Sequence, residues 1–274
     1  MSISAQAGTL LDALRARRPL VHCMTNYVTI NDCANAALAI GASPIMADDP
    51  GEAAEITAHA AALVLNIGKL DPRTLEGMVL AGKEANRLGL PVVFDPVGAG
   101  VSTLRGQAVR RIVREVRLSI VRCNRSEAAW LCGMHGSDSG VDADGAVSPD
   151  DGARLARQTA RKLGCVTALT GETDFLSDGD RLIRCENGHP MLSRVTGMGC
   201  AATVLCAAFA AAADGDCLTA ALAGVGAMGV AGEIAYREAG VRGTGSFHIA
   251  VIDALSRLDG AAFAAALRAQ EVHA

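Results

Sequence analysis

The chain has 274 residues, half of them apolar but only 3% aromatic, and a formal net charge of −4. The length predicts one large α/β domain over 1–274, with a core of Ala, Val, Leu and Ile. The acidic balance, and the lack of any arginine run interleaved with stacking aromatics, argue against a nucleic-acid partner. The best basic stripe, Arg105, Arg110, Arg111, Arg114 and Arg117, has the spacing of one solvated helix face. Nine cysteines lie scattered without a CxxC pair or a Cys/His zinc spacing, as free thiols of a reducing compartment do. No basic start followed by an apolar core opens the chain, and the longest apolar run, 200–213, is too short and Ala-rich to span a bilayer. These features predict a soluble cytoplasmic protein with no membrane partner.

Short apolar runs at 19–23, 44–46, 63–67, 91–94, 119–122 and 166–169 predict strands buried on both faces of a parallel sheet. Helical patterns fill the gaps. One over 31–40 stops at Gly41, another starts at Asp71-Pro72, and a third at Ser148-Pro149-Asp150. Residues 133–147, rich in Gly, Ser and Asp, read as a surface loop. The segments 174–176 and 181–185 flank Ser177-Asp178-Gly179-Asp180 and predict a hairpin. Only helices are expected after it, over 200–213, 216–239 and 245–258. The alternation predicts a doubly wound, mostly parallel sheet with helices on both faces and a C-terminal helical layer.

Such sheets bind ligands at the carboxyl ends of their strands. Asp95 ends an apolar strand, where a carboxylate either meets a cation such as hydrated Mg²⁺ or caps the following turn. Asn124 and Glu127 follow the next strand. Glu127 falls in the first turn of a helix, where capping explains it as well. Asp95 and Glu127 together fit shared binding of one Mg²⁺ through water. Residues 67–70 lack the glycine and Ser/Thr of a P-loop, and no GxGxxG follows the first strand. The best anion site is Thr196-Gly197-Met198-Gly199-Cys200, which runs into an Ala-rich helix. Its first-turn N–H groups and helix dipole attract phosphate, or its glycines simply shape a tight turn.

Several ordered motifs resemble the hydroxyethylthiazole kinase family of the ribokinase-like superfamily. They are His22-Cys23-Met24-Thr25-Asn26-Tyr27-Val28-Thr29, Gly41-Ala42-Ser43-Pro44-Ile45-Met46, Asp95-Pro96-Val97-Gly98-Ala99-Gly100, Asn124-Arg125-Ser126-Glu127 and Thr196–Cys200. The resemblance implies a ribokinase-like fold and ATP- and Mg²⁺-dependent phosphorylation of the alcohol of 4-methyl-5-(2-hydroxyethyl)thiazole for thiamine. It also implies a homotrimer with sites near subunit interfaces. Met46 and Gly197 would contact the thiazole and Asn26 would face the same pocket. Arg122, Thr170, Gly199 and Asn124 would bind ATP, and Asp95 and Glu127 the metal. His22 is expected to be a satisfied histidine at a strand end, outside the site. The family commonly has small residues at Cys123 and Arg125 and a second Thr at Met198, a departure expected to alter nucleotide affinity.

Cys200 stands where the superfamily usually has an aspartate general base. A helix N-terminus lowers a thiol pKa from its usual ~8.5, whereas a neighbouring triphosphate raises it. Phosphoryl transfer through a loose transition state needs alignment more than a strong base, so Cys200 is expected to orient the alcohol and accept its proton late. Three other functions compete. A cysteine hydrolase would need His22, His189 or His248 beside Cys200. A non-catalytic nucleotide-binding regulator would turn over no alcohol, and a related kinase would act on another small alcohol such as hydroxymethylpyrimidine.

Overall fold

The computed structural model describes residues 1–133 and 149–272. The apolar runs become β1 (Leu20–Met24), β2 (Ser43–Ile45), β3 (Ala62–Asn66), β4 (Val92–Asp95), β5 (Ile120–Cys123), β6 (Val166–Leu169), β7 (Asp174–Ser177), β8 (Leu182–Cys185) and β9 (Ala269–Glu271). They form one nine-stranded sheet in the order β2-β1-β3-β4-β5-β6-β7-β8-β9. The strands from β2 across to β6 pair in parallel, and β7, β8 and β9 add antiparallel. The helices are α1 (Ile3–Arg17), α2 (Ile30–Ile40), α3 (Ala53–Ala58), α4 (Pro72–Leu88), α5 (Thr103–Glu115), α6 (Arg125–Gly133), α7 (Pro149–Leu163), α8 (Met198–Ala210), α9 (Cys217–Ala239), α10 (Thr244–Arg257) and α11 (Gly260–Ala266).

Both faces of the sheet are covered, which is why its strands carry so few polar residues. Along β3, Ala62 and Val64 join the core under α1, α2 and α8–α11, while Leu63 and Leu65 join the core under α3–α7. Local signals place the helix ends. The Asp71 side chain accepts a hydrogen bond from the Thr74 N–H at the start of α4, and Gly41 closes α2 in the left-handed region.

Several expectations differ from the structure. The chain does not finish on helices, because β9 returns to the sheet and pairs with β8. The loop expected over 133–147 lies outside the described residues beyond Gly133, as does Ser148 before α7. Arg105 is no solvated stripe residue: its guanidinium donates to the carbonyls of Ile67, Val97 and Gly68 at 2.6–2.7 Å. It ties together the loops after β3 and β4.

The segment Cys217–Arg242 is long and apolar enough to cross a membrane, with mean hydropathy 1.6, yet 83% of that window is buried within the protein. α8, and α9 up to Gly232, are apolar on every side because both are core helices. Small residues let them pack closely. A Cβ on Gly224 of α9 would lie 2.5 Å from the Cys206 backbone nitrogen of α8. Gly224→Ala therefore forces the two helices apart and costs about 1–3 kcal/mol. In thermal melts its Tm should fall by several degrees, while Gly245→Ala, whose Cβ would meet open space, should leave Tm unchanged or raised.

Candidate active site

The parallel strands all end on one edge of the sheet, and α8 packs against β1, β3 and β4. Its N-terminal turn thereby meets the ends of β1, β3, β4 and β5. Gly197 is the capping residue of α8, at φ 89° in the left-handed region that glycine tolerates. No side chain caps that end, so its first-turn N–H groups remain available to a ligand.

Asp95 is fully buried at the tip of β4. Its Oδ2 accepts hydrogen bonds from the Thr203 hydroxyl on α8 (2.7 Å) and from Asn66 Nδ2 at the tip of β3 (3.1 Å). An Arg122 guanidinium nitrogen lies 3.8 Å from the same oxygen. The other oxygen, Oδ1, is buried with no partner. Burial pushes the Asp95 carboxyl up to about 6, although Arg122 and the Thr203 and Asn66 donors pull it down. The side chain does not cap the turn that follows it, which removes that alternative.

Glu127 does cap. Asn124 Oδ1 accepts from the Glu127 N–H (2.9 Å) and Glu127 Oε2 accepts from the Asn124 N–H (2.8 Å), a reciprocal capping box at the start of α6. Glu127 Oε1 accepts from the Gly98 N–H at 2.9 Å. One carboxylate thus fixes the loops after β4 and β5 to each other.

Arg122, at the third position of β5, is half-buried with 17% of its side chain exposed. Its Nη2 donates to Thr170 Oγ1 at 2.7 Å. A Cβ on Gly199 would sit 2.8 Å from its Nη1, so a larger residue there would displace the guanidinium from under the first turn of α8. Burial works against the Arg122 charge, but the carboxylates of Asp95, Glu127 and Asp174 hold its pKa above the usual value. Asp174 accepts from the Gly171 N–H at 2.9 Å and so orders the turn that carries Thr170.

Cys200, in the first turn of α8, is half-buried, and its Sγ accepts from Asn26 Nδ2 at 3.6 Å. That amide also donates to Asn66 Oδ1 at 3.1 Å. None of the histidines expected of a hydrolase reaches the sulfur. His189 Nδ1 accepts from the Met191 N–H, and His248 Nε2 pairs with Asp32 at 2.8 Å. His22 is fully buried, and burial lowers its pKa. Neutral His22 donates from Nε2 to the Ala47 carbonyl (2.7 Å) and accepts the Thr57 hydroxyl at Nδ1 (2.8 Å). It is satisfied, and it holds the backbone next to Met46.

Met46 follows the edge strand β2 and is half-buried against the core that also borders Cys200. A Cβ on Gly197 would approach Thr29 and Asp32 at 3.1–3.2 Å, so the loop sits against the start of α2. Met198 is buried in the apolar core, which gives an apolar side chain there a packing reason.

Sequence reasoning brought Asp95, Glu127, Arg122, Thr170, Gly199, Cys200 and Asn26 to one edge. It missed Asn66, Thr203 and Arg105. Asn66 was hidden inside an apolar run, yet it ends its strand as Asp95 does and is that residue's register partner. Among the described residues no group of three or more His, Cys, Asp or Glu forms a metal cage. A bare buried carboxylate oxygen beside a second oriented carboxylate does suit hydrated Mg²⁺, which keeps most of its waters and takes few protein ligands.

Residues 11–260 match the model of the hydroxyethylthiazole kinase family. A hydroxyethylthiazole kinase of Ruminiclostridium cellulolyticum is 51% identical over 97% of this chain and 98% of its own length. One from Methanocella arvoryzae is 47% identical over 91% and 92%. The solved hydroxyethylthiazole kinase of Pyrococcus horikoshii superposes with TM-score 0.89 at 36% identity, covering 98% of this chain and 99% of that one. A ribokinase-like superfamily protein from Enterococcus faecalis, at TM-score 0.61 and 10% identity, shares the fold. The fold is ribokinase-like, and the chain belongs to the hydroxyethylthiazole kinase family.

Proposed function

We propose that this chain, as one kinase domain over 1–274, transfers the γ-phosphoryl group of ATP to the primary alcohol of 4-methyl-5-(2-hydroxyethyl)thiazole, a step in thiamine biosynthesis. The observation that carries this reading is the convergence of the open N-terminus of α8, half-buried Arg122, the bare oxygen of Asp95 and the Cys200 thiol. Phosphate oxygens would take the free N–H groups at Gly199 and Cys200, with Arg122 and Thr170 as further donors. Asn124, engaged in the capping box, would border the nucleotide. Met46, Gly197 and Asn26 would line the thiazole side.

Asp95 and Glu127 would hold Mg²⁺ through its water shell, and the ion when bound supplies charge neutralisation at the phosphates. The alcohol oxygen attacks the γ-phosphorus as the bond to the ADP oxygen breaks. Cys200, held by Asn26, orients the hydroxyl and takes its proton late. Tyr27, Val28 and Ile30 before and at α2, and Ile249 on α10, expose an apolar surface beside the Gly197 loop. That surface supports a homotrimer with sites near its interfaces. All nine cysteines are unpaired, which supports a cytoplasmic location.

The direct test is ADP release with Mg-ATP and a panel of alcohols. Hydroxyethylthiazole should give the highest kcat/KM; faster turnover of hydroxymethylpyrimidine would overturn the substrate assignment. Cys200→Ala should lower kcat by about 10- to 100-fold, less than a required base at the top of its ~10²–10⁴ range would cost. Cys200→Asp should keep or raise activity, and near-total loss would remove Cys200 from the reacting hydroxyl.

Asp95 gives a pH-dependent test. Its folded pKa of about 6 lies above the ordinary 3.8, so the folded state retains the proton longer than the unfolded one. Stability is therefore lost as pH rises between those values, and the full cost persists above the higher one. Asp95→Asn mimics the protonated form. In metal-free buffer its Tm should match the parent near pH 4 and exceed it by a margin that grows to pH 6 and then levels off. Activity should be lost at every pH.

A further inference from the structure

We infer that Asn66 is a positioning residue for phosphoryl transfer, fixing through one amide both the Cys200 thiol, by way of Asn26, and the open oxygen of Asp95. The inference rests on the roles proposed above for Cys200 and Asp95, while Asn66 itself faces neither substrate in that scheme.

The amide has one admissible orientation. The Gly68 N–H, which can only donate, lies 2.8 Å from Asn66 Oδ1, and Asn26 Nδ2 approaches the same oxygen at 3.1 Å. The Asp95 carboxylate, an acceptor when ionised, lies 3.1 Å from Nδ2. Flipping the amide would set a donor against the Gly68 donor and an oxygen against a carboxylate oxygen. Asn66 is 1% exposed, so no water relieves such a mismatch.

The rest of the chain then has a fixed sense. Asn26 must present its NH₂ to Asn66, and the same group reaches the sulfur of Cys200 at 3.6 Å. At the other end Asn66 and Thr203 both donate to Oδ2 of Asp95, which leaves Oδ1 as the oxygen without a partner. Rotation of that carboxylate would break both bonds in a buried site, where each unmet group costs free energy. Asn66 thus shares with Thr203 the choice of which Asp95 oxygen stays open, and it sets which way the amide beside the thiol points.

The test combines kinetics with thiol chemistry on the full chain. Asn66→Ala should lower kcat by about 10-fold or more while both KM values stay within about two-fold, the pattern of an interaction lost only in the transition state. In a Cys200→Ala background, Asn26→Ala should lower kcat by less than it does in the parent, because the arm that ends on the sulfur is already lost. What remains of its effect should fall on the thiazole KM. Asn66→Ala should still lower kcat there through Asp95. Additivity of Asn26→Ala with Cys200→Ala, or no added loss from Asn66→Ala, overturns the inference.

A second measurement needs no turnover. Iodoacetamide labelling, resolved by peptide in the substrate-free protein, should show the Cys200 rate altered by about three-fold or more in both Asn26→Ala and Asn66→Ala. Half-buried Cys132 and Cys217 serve as references and should keep their rates. An unchanged Cys200 rate, or all cysteines accelerating together as in a loosened fold, overturns the inference. Absent thiazole turnover by the parent protein would instead strike the proposed function and leave the labelling result standing on its own.

Discussion

The site depends on burying an ionisable carboxyl group, Asp95, where the sheet is otherwise apolar. Water cannot solvate it, and burial lifts its pKa to about 6 even against the pull of its neighbours. Three neighbours are placed to lessen that cost. Thr203 comes from α8, Asn66 from β3 and Arg122 from β5. Three elements distant in sequence must therefore converge within hydrogen-bonding range of one side chain. The convergence is incomplete, since one oxygen is left bare. A structure optimised for stability alone would satisfy that oxygen or replace the residue, so the deficit is a mark of function.

Bringing α8 close enough for Thr203 to reach Asp95 is a packing problem solved by composition. The core contains few aromatic residues, and α8 is built largely of small residues (Ala, Gly, Cys and Thr), so it can pack closely over β1, β3 and β4. Behind it, Gly224 of α9 admits the Cys206 backbone. Larger side chains on either helix would lift the N-terminal turn away from the strand ends. The small-residue bias evident in the sequence is thus what lets a helix N-terminus, a carboxylate and a guanidinium share one small volume.

Much of this was legible in the sequence for specific reasons. Strands buried on both faces appear as unbroken apolar runs, so β1, β3, β4, β5 and β6 were visible and their carboxyl ends could be searched. Asp95 stood out as a charge at such an end. Asn66 did not, because an amide closing an apolar run reads as part of the strand until the register sets it beside Asp95. Thr203 and Arg105 were illegible for another reason. Their partners lie 108 residues away in one case and up to 38 in the other; spacing alone put Arg105 on a solvated helix face, and Thr203 was one residue of an Ala-rich helix. The edge strand β9 carries no periodic signal across three half-exposed or exposed residues.

In the proposed scheme Glu127 combines a capping role with a metal-holding one, and the two need not compete. An ionised carboxylate has about four acceptor sites, and the N–H groups of Asn124 and Gly98 occupy one on each oxygen. Those bonds fix the carboxylate plane and tie the loops after β4 and β5 to each other, so the remaining lone pairs have a defined direction. A glutamate free of the capping box would lose side-chain entropy on meeting a hydrated cation. One already immobilised by backbone N–H groups has met that cost during folding. In the proposed scheme, the local helix signal that made Glu127 look merely structural would be the means by which its carboxylate is prepared to share a metal's water shell with Asp95.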